Sequence, residues 1–134
     1  MKGKIVTSGK RKTAIAKAMI VEGNGKVIIN NKDYNHLQFF DRLKIEEPLR
    51  ICMNVLGKTN FDVTIKVHGG GEKGQIDAAR VALSRAILKF SKSKELQTAY
   101  LLYDRSLTVA DVRRKEMYKP GDSKARKKRQ SSKR

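Results

Sequence analysis

The residues whose types and spacing could do chemistry fall into two groups, a glycine loop and a set of cationic clusters. Gly69, Gly71 and Gly74 satisfy the spacing G-x-G-x-x-G, which between a strand and a helix lets bare backbone approach a pyrophosphate. The surroundings argue against that use. A ribose-binding carboxylate belongs about 20 residues further on, at the end of a second parallel strand, whereas Glu95 falls in a helical pattern. Too little chain follows to complete a doubly wound sheet. A P-loop fails as well, because Gln75 and Ile76 stand where Lys and Ser/Thr must meet phosphate and Mg²⁺. What remains is a tight turn whose bare backbone can lie close to another chain, a nucleic-acid backbone included. His36 and His68 are isolated, no His/Cys/Asp cluster has metal-ligand spacing, and no Ser or Cys has a recognisable base partner. The sequence therefore predicts no enzyme, no cofactor, no metal and no small-molecule substrate.

The cations are more informative. Lys and Arg number 31 against 13 Asp and Glu, a net charge of +18. Such a field favours a polyanion, with nucleic acid the first candidate and an anionic membrane the second. No window approaches the roughly 18 to 20 apolar residues of a membrane span, and the N-terminus lacks a secretory apolar region, so a soluble, unexported protein is expected. Cys52, the one cysteine, cannot form an internal disulfide, in keeping with a reducing cytoplasm. Three runs stand out: Lys10-Arg11-Lys12, Arg113-Arg114-Lys115 and Arg126-Lys127-Lys128-Arg129. Each alone reads as a solvated face. Together they suit phosphate contacts from several directions, with Arg binding bidentately and Lys as a point charge. The aromatics form no paired stacking pattern, so recognition of folded RNA by shape and backbone fits better than single-strand readout.

Elements must position these groups. Phe61, Val63, Ile65 and Val67 alternate with polar residues, predicting a strand with one buried face. Gly69, Gly70, Gly71 and Gly74 end it, and Ile76, Ala79, Leu83, Ala86 and Phe90 form one stripe of a helix. That strand–loop–helix unit is the expected nucleus of a two-layer α/β domain. Ile5 to Thr7 is a candidate short strand before the basic corner. Ala14–Val21 and Lys26–Asn30 read as strands joined in a hairpin by Asn24-Gly25. Ala14, Ala16 and Ala18 make one strand face small enough for close helix approach. Asn31–Leu43 reads as a loop with one helical turn. Glu46-Glu47-Pro48 opens a helix with Leu49, Cys52, Met53 and Leu56 inward and Gly57 as its cap. Another helix spans Lys94–Tyr103, with Leu96, Ala99, Tyr100 and Tyr103 on one side. The expected organisation is a globular unit over residues 1–104, a basic lead-in over 105–118 packed on RNA, and a tail over 119–134. The tail carries eight cations and one acid in 16 residues. It cannot bury enough apolar surface to offset its ordering entropy, so alone it is expected to be disordered. Extended, it reaches on the order of 50 Å.

Taken together, SGKRKTAIAKA, NGKVIINN, the Glu46-Glu47-Pro48-Leu49 opening, VHGGGEKGQIDAARVALSRAI, LLYDRSLTVADVRRKEMYKPG and KARKKRQSSKR resemble the small-subunit ribosomal protein S-nine family in its archaeal and eukaryotic branch. The likeness covers nearly the whole chain in order. It implies an α/β fold like the second domain of ribosomal protein S-five: a mixed sheet, helices on one face and a left-handed βαβ crossover, a handedness that general rules make rare. It also implies a structural role in the cytoplasmic ribosome, with small-subunit rRNA in the head, neighbouring head proteins and peptidyl-site tRNA as partners. The rRNA-binding residues it implies are Lys10, Arg11 and Lys12, Gly69 to Gly71, the helix cations Arg80 and Arg85, and Arg113, Arg114, Lys115 and Lys119. Arg126, Lys127, Lys128 and Arg129 continue that set in the tail. Ser132, Lys133 and Arg134 are expected at the tRNA anticodon stem-loop. The alternative is a free nucleic-acid-binding protein of nucleoid or RNA-chaperone type.

Overall fold

A computed structural model describes residues 3–132. Five strands and three helices follow one another as β1 (Ile5–Arg11), β2 (Ala14–Glu22), β3 (Val27–Ile29), β4 (Lys32–Asp33), α1 (Phe39–Leu56), β5 (Phe61–His68), α2 (Glu72–Ser91) and α3 (Lys94–Tyr103). Single 3₁₀ turns cover Tyr34–His36 and Arg105–Leu107. The strands form one mixed sheet in the order β1-β2-β5-β3-β4. β3 and β5 pair in parallel and are joined through α1; every other pairing is antiparallel.

The strand order corrects the expected hairpin at Asn24-Gly25. β2 and β3 are not neighbours, because β5 lies between them and pairs with both. The loop instead wraps the start of β5. The backbone N–H groups of Asn24 and Lys26 each donate to Asp62 Oδ1 at 2.9 Å, and Gly25 N–H donates to the Phe61 carbonyl at 2.9 Å. The tight hairpin lies at the basic corner, where Arg11 pairs with Ala14 across Lys12-Thr13 and Lys12 takes a positive φ of 52°. β1 accordingly runs four residues past the expected Thr7.

α1 begins at Phe39, not at Glu46, so Asn31–Leu43 is not a loop throughout and Pro48 sits mid-helix. Proline offers no N–H to the Lys44 carbonyl. The helix continues through it because Asp41, Ile45, Pro48 and Cys52 recur at helical spacing as its buried stripe. The Tyr100 hydroxyl donates to the Pro48 carbonyl at 2.9 Å and ties α3 to this point. Met53, expected inward, is 46% exposed, as the stripe is rotated away from it. Gly57 closes α1 in the left-handed conformation, its N–H bonded to the Met53 carbonyl at 2.8 Å. In α3, Leu96 and Tyr100 are buried while Tyr103 turns out to solvent.

One sheet face is buried and α2 lies on it against β1, β2 and β5; α1 packs on α2, and α3 on α1. Ala14, Ala16 and Ala18 of β2 and Ala78, Ala79, Ala82 and Ala86 of α2 are fully buried. The approach is closest at Gly9, where a Cβ would lie 2.6 Å from the Ala82 backbone nitrogen and nearer still to the Ala78 carbonyl oxygen. The Thr7 hydroxyl fastens the same pair of elements by donating to the Ala82 carbonyl at 2.9 Å. Gly9→Ala therefore has to push α2 from the sheet, and overpacking of this kind costs about 1–3 kcal/mol. Urea denaturation followed by circular dichroism is expected to show that loss, whereas Gly71→Ala, where the added carbon meets open space, leaves the midpoint nearly unchanged.

Candidate nucleic-acid interface

The close packing of α2 on β1 and β2 brings three separated stretches to one end of the sheet. The β5–α2 loop folds against the β1–β2 hairpin. Gly69 and Gly70 adopt φ of 77° and 64°, a region that penalises side chains. A Cβ on Gly69 would sit 2.6 Å from the Thr13 carbonyl oxygen, and one on Gly70 3.1 Å from the Ala14 nitrogen. Gly71 is the residue before α2 and faces open space. A shallow concavity results, lined by Arg11, Lys12, Thr13, Gly70, Gly71, Lys73 and Gly74 together with Glu72 and Asp77. Lys12 is exposed at the turn, and Lys10 is exposed on the sheet beside it.

The third stretch is the basic lead-in, which folds back onto the body. Leu107 is fully buried, so the packed unit continues beyond residue 104. Arg80 pairs with Glu47 and reaches Asp104 at 3.4 Å and the Ser106 hydroxyl at 3.4 Å. Arg85 donates to the Thr108 carbonyl at 2.8 Å and the Ser8 carbonyl at 2.9 Å, tying the lead-in to the free edge of β1. Arg11 pairs with Asp111, whose other partner is Arg113, bonded at 2.9 Å through Nε and 2.7 Å through Nη2. Arg114 donates to the Lys12 carbonyl at 3.4 Å. Both guanidiniums act on the Asp111 carboxyl, and the hydrogen bonds from Arg113, first its side chain and then its backbone N–H, hold it well below the usual carboxylate range. Asp104 is pushed up by burial, but hydrogen bonds from the Ser106 backbone and hydroxyl and the charge of Arg80 outweigh that and leave it lowered.

Of the residues singled out in the sequence, Lys10, Arg11, Lys12, Gly69, Gly70, Gly71, Arg113 and Arg114 thus gather at one end of the molecule. Arg80 and Arg85 are spent inside the fold, gripping the lead-in. Lys115 lies over the Tyr118 ring, 4.6 Å from its centroid. Lys119 and Arg126 both pair with Glu116, at 3.2 and 2.8 Å. Lys128 reaches Asp122 at 3.6 Å, Arg129 donates to the Gly121 carbonyl at 2.7 Å, and the Lys127 backbone N–H donates to the Lys124 carbonyl at 3.3 Å. Ser132 is exposed; Lys133 and Arg134 lie outside the described residues. Sequence reasoning missed Lys73, whose partner Asp41 is on α1 at 2.9 Å, and Asp104 and Asp111, the acids that position the lead-in. Only the rarity of acids in so basic a segment could have marked the latter two. Among the described residues no group of three His, Cys, Asp or Glu is arranged to hold a metal, and no helix is long and apolar enough to cross a membrane.

The family described as ribosomal protein S9/S16 matches residues 9–134. The chain is 44% identical over 118 residues to the small ribosomal subunit protein uS9 of Methanococcus vannielii, covering 87% of each chain. The protein of the same name from Thermoplasma volcanium is 42% identical over 130 residues, and that from Picrophilus torridus 44% over 129; each match covers 96% of both chains.

The lowered Asp104 carboxyl stabilises the fold above the ordinary carboxylate range of about pH 4, and that contribution is lost as pH falls through its folded-state value. Asp104→Asn is therefore expected to lower stability at neutral pH and to flatten the acid limb. Thermal melts at descending pH check this: the gap between the two proteins closes as pH falls through the lowered folded-state value of the Asp104 carboxyl.

Proposed function

The chain belongs to the ribosomal protein S9/S16 family, and from that membership we propose that its body docks on small-subunit rRNA in the head while its basic tail reaches peptidyl-site tRNA. The family is structural and non-enzymatic, and its members serve translation as constituents of the small ribosomal subunit. The observation that carries the finer reading is the convergence of the Lys10–Lys12 corner, the Gly69–Gly71 turn and the Arg113–Arg114 stretch at one end of the sheet. Bare glycine backbone admits a phosphate chain closely, and flanking cations release its counterions. Binding is then a matter of neutralisation and positioning.

Within this reading the helix cations take two roles. Arg80 and Arg85 act through the lead-in they hold, while Lys12 and the exposed side of Arg113 meet phosphate. From Lys115 through Arg129 the chain carries further phosphate contacts, and Ser132, Lys133 and Arg134 reach the anticodon stem-loop. The neighbouring protein partners are those of the small-subunit head, and the working location is the cytoplasmic ribosome.

Sedimentation of a native extract through sucrose at low and then high salt is expected to keep this chain with the small subunit at about one copy per particle; migration as free protein would favour a nucleoid-type role. Deleting residues 120–134 is expected to spare the fold yet reduce the slope of log Kobs against log salt for rRNA, by about 0.7–0.9 per phosphate contact removed. Removing Arg134 alone is expected to weaken tRNA retention in assembled subunits, and unchanged retention overturns the tail's proposed endpoint.

A further inference from the structure

The sheet face turned away from the helices is uncovered, and its charge is unevenly distributed. Ser8 and Lys10 of β1, Lys17 of β2, and Lys66 and His68 of β5 are all exposed and point to that side. The register places Ser8, Lys17 and Lys66 on one rung and Lys10, Ile15 and His68 on the next. Lys17 and Lys66 are therefore directly opposed on adjacent strands. Like charges so placed destabilise a sheet. Among the described residues Lys10, Lys17 and Lys66 take part in no ion pair. The acids of this face lie away from these rungs: Asp62 is two rungs beyond Lys66 and already bonded to the Asn24 and Lys26 N–H groups, and Asp33 is on the far edge strand β4, where it accepts from the Asn35 N–H and side-chain amide.

An unrelieved lysine pair on an open face, flanked by a third lysine and by the Ser8 hydroxyl, is complementary to a strand of phosphates. The same rungs adjoin the Lys12 turn and the glycine loop, so the cationic surface continues from the sheet end onto the sheet. No aromatic ring stands on these rungs to stack a base. We propose that this half of the open sheet is a second RNA-backbone contact, centred on Lys17 and Lys66, that extends the interface at the sheet end. The inference rests on the rRNA-binding reading above. The phosphate chain supplies the counter-charge that the Lys17–Lys66 pair lacks within the protein.

The test is filter binding of the full chain to a small-subunit rRNA transcript over a salt series, comparing wild type with Lys17→Ala/Lys66→Ala. A control, Lys89→Ala/Lys94→Ala, removes the same charge from exposed sites elsewhere. The expected result is a salt slope reduced by about 1.4–1.8 in the first variant, as for two lost phosphate contacts, a near wild-type slope in the control, and a urea midpoint in the first variant equal to or above that of wild type. Equal slopes in wild type and both variants overturn the proposal while leaving the rRNA reading intact. Weak, salt-insensitive wild-type binding overturns the rRNA reading itself. Unchanged rRNA binding with loss of an acidic neighbouring protein from assembled subunits assigns the face to protein and also overturns the proposal.

Discussion

The whole arrangement depends on how closely α2 can lie on the sheet. Between Gly9 and the Ala78 and Ala82 backbone nothing larger than hydrogen fits, and the facing alanines of β2 and α2 keep the two layers in contact over several turns. Interiors packed at this density do not yield by small increments. Because α2 is held this near, the loop that feeds it has to pass across the Lys12-Thr13 turn, and only residues free to adopt positive φ can make that passage. The position of the glycine loop is thus a by-product of small-residue packing. The cationic end of the molecule inherits its shape from an apolar contact.

The burial of α2 also explains the acids of this basic protein. A helix buried on most sides leaves little room for charge, so Arg80 and Arg85 are each met by oxygens from other elements. Glu47, Asp104 and the Ser8 and Thr108 carbonyls neutralise or bind them. Asp41 and Asp77 do the same for Lys73 and Lys44 across the α1–α2 seam. The fold places these acids where a cation has to be tolerated, and leaves the two open-face rungs of Lys17 and Lys10 without one.

Much of this was legible in the sequence where the determinant is local. The strict alternation of Phe61–His68 and the stripe from Ile76 to Phe90 gave β5 and α2, and Gly57 marked the end of α1. What was not legible is pairing between distant segments. Asn24-Gly25 is a strong local turn signal, yet β5 takes the place beside β2 because an eight-residue strand with a buried face satisfies both neighbours. Pro48 looked like a helix start; the burial of Ile45 and Asp41 upstream, which no local pattern announces, makes it interior. In the same way the composition could mark Arg80, Arg85 and Arg113 as cations, but their partners lie 24 and 33, 23 and 77, and 2 residues away in sequence. Only the near one was within reach of pattern reading.

The bond between Arg11 and Asp111 has a consequence for everything downstream. It fixes the point on the globular body from which the chain beyond Asp111 departs, and within that stretch Lys119 and Arg126 meet Glu116, Lys128 meets Asp122 and Arg129 meets the Gly121 carbonyl. On the proposed reading, with the body seated on rRNA, the tail's encounter with a second site is intramolecular, at an effective concentration in the millimolar range rather than that of free protein. On that reading a tail too weak to bind by itself is retained by avidity, releasing and rebinding without the body leaving.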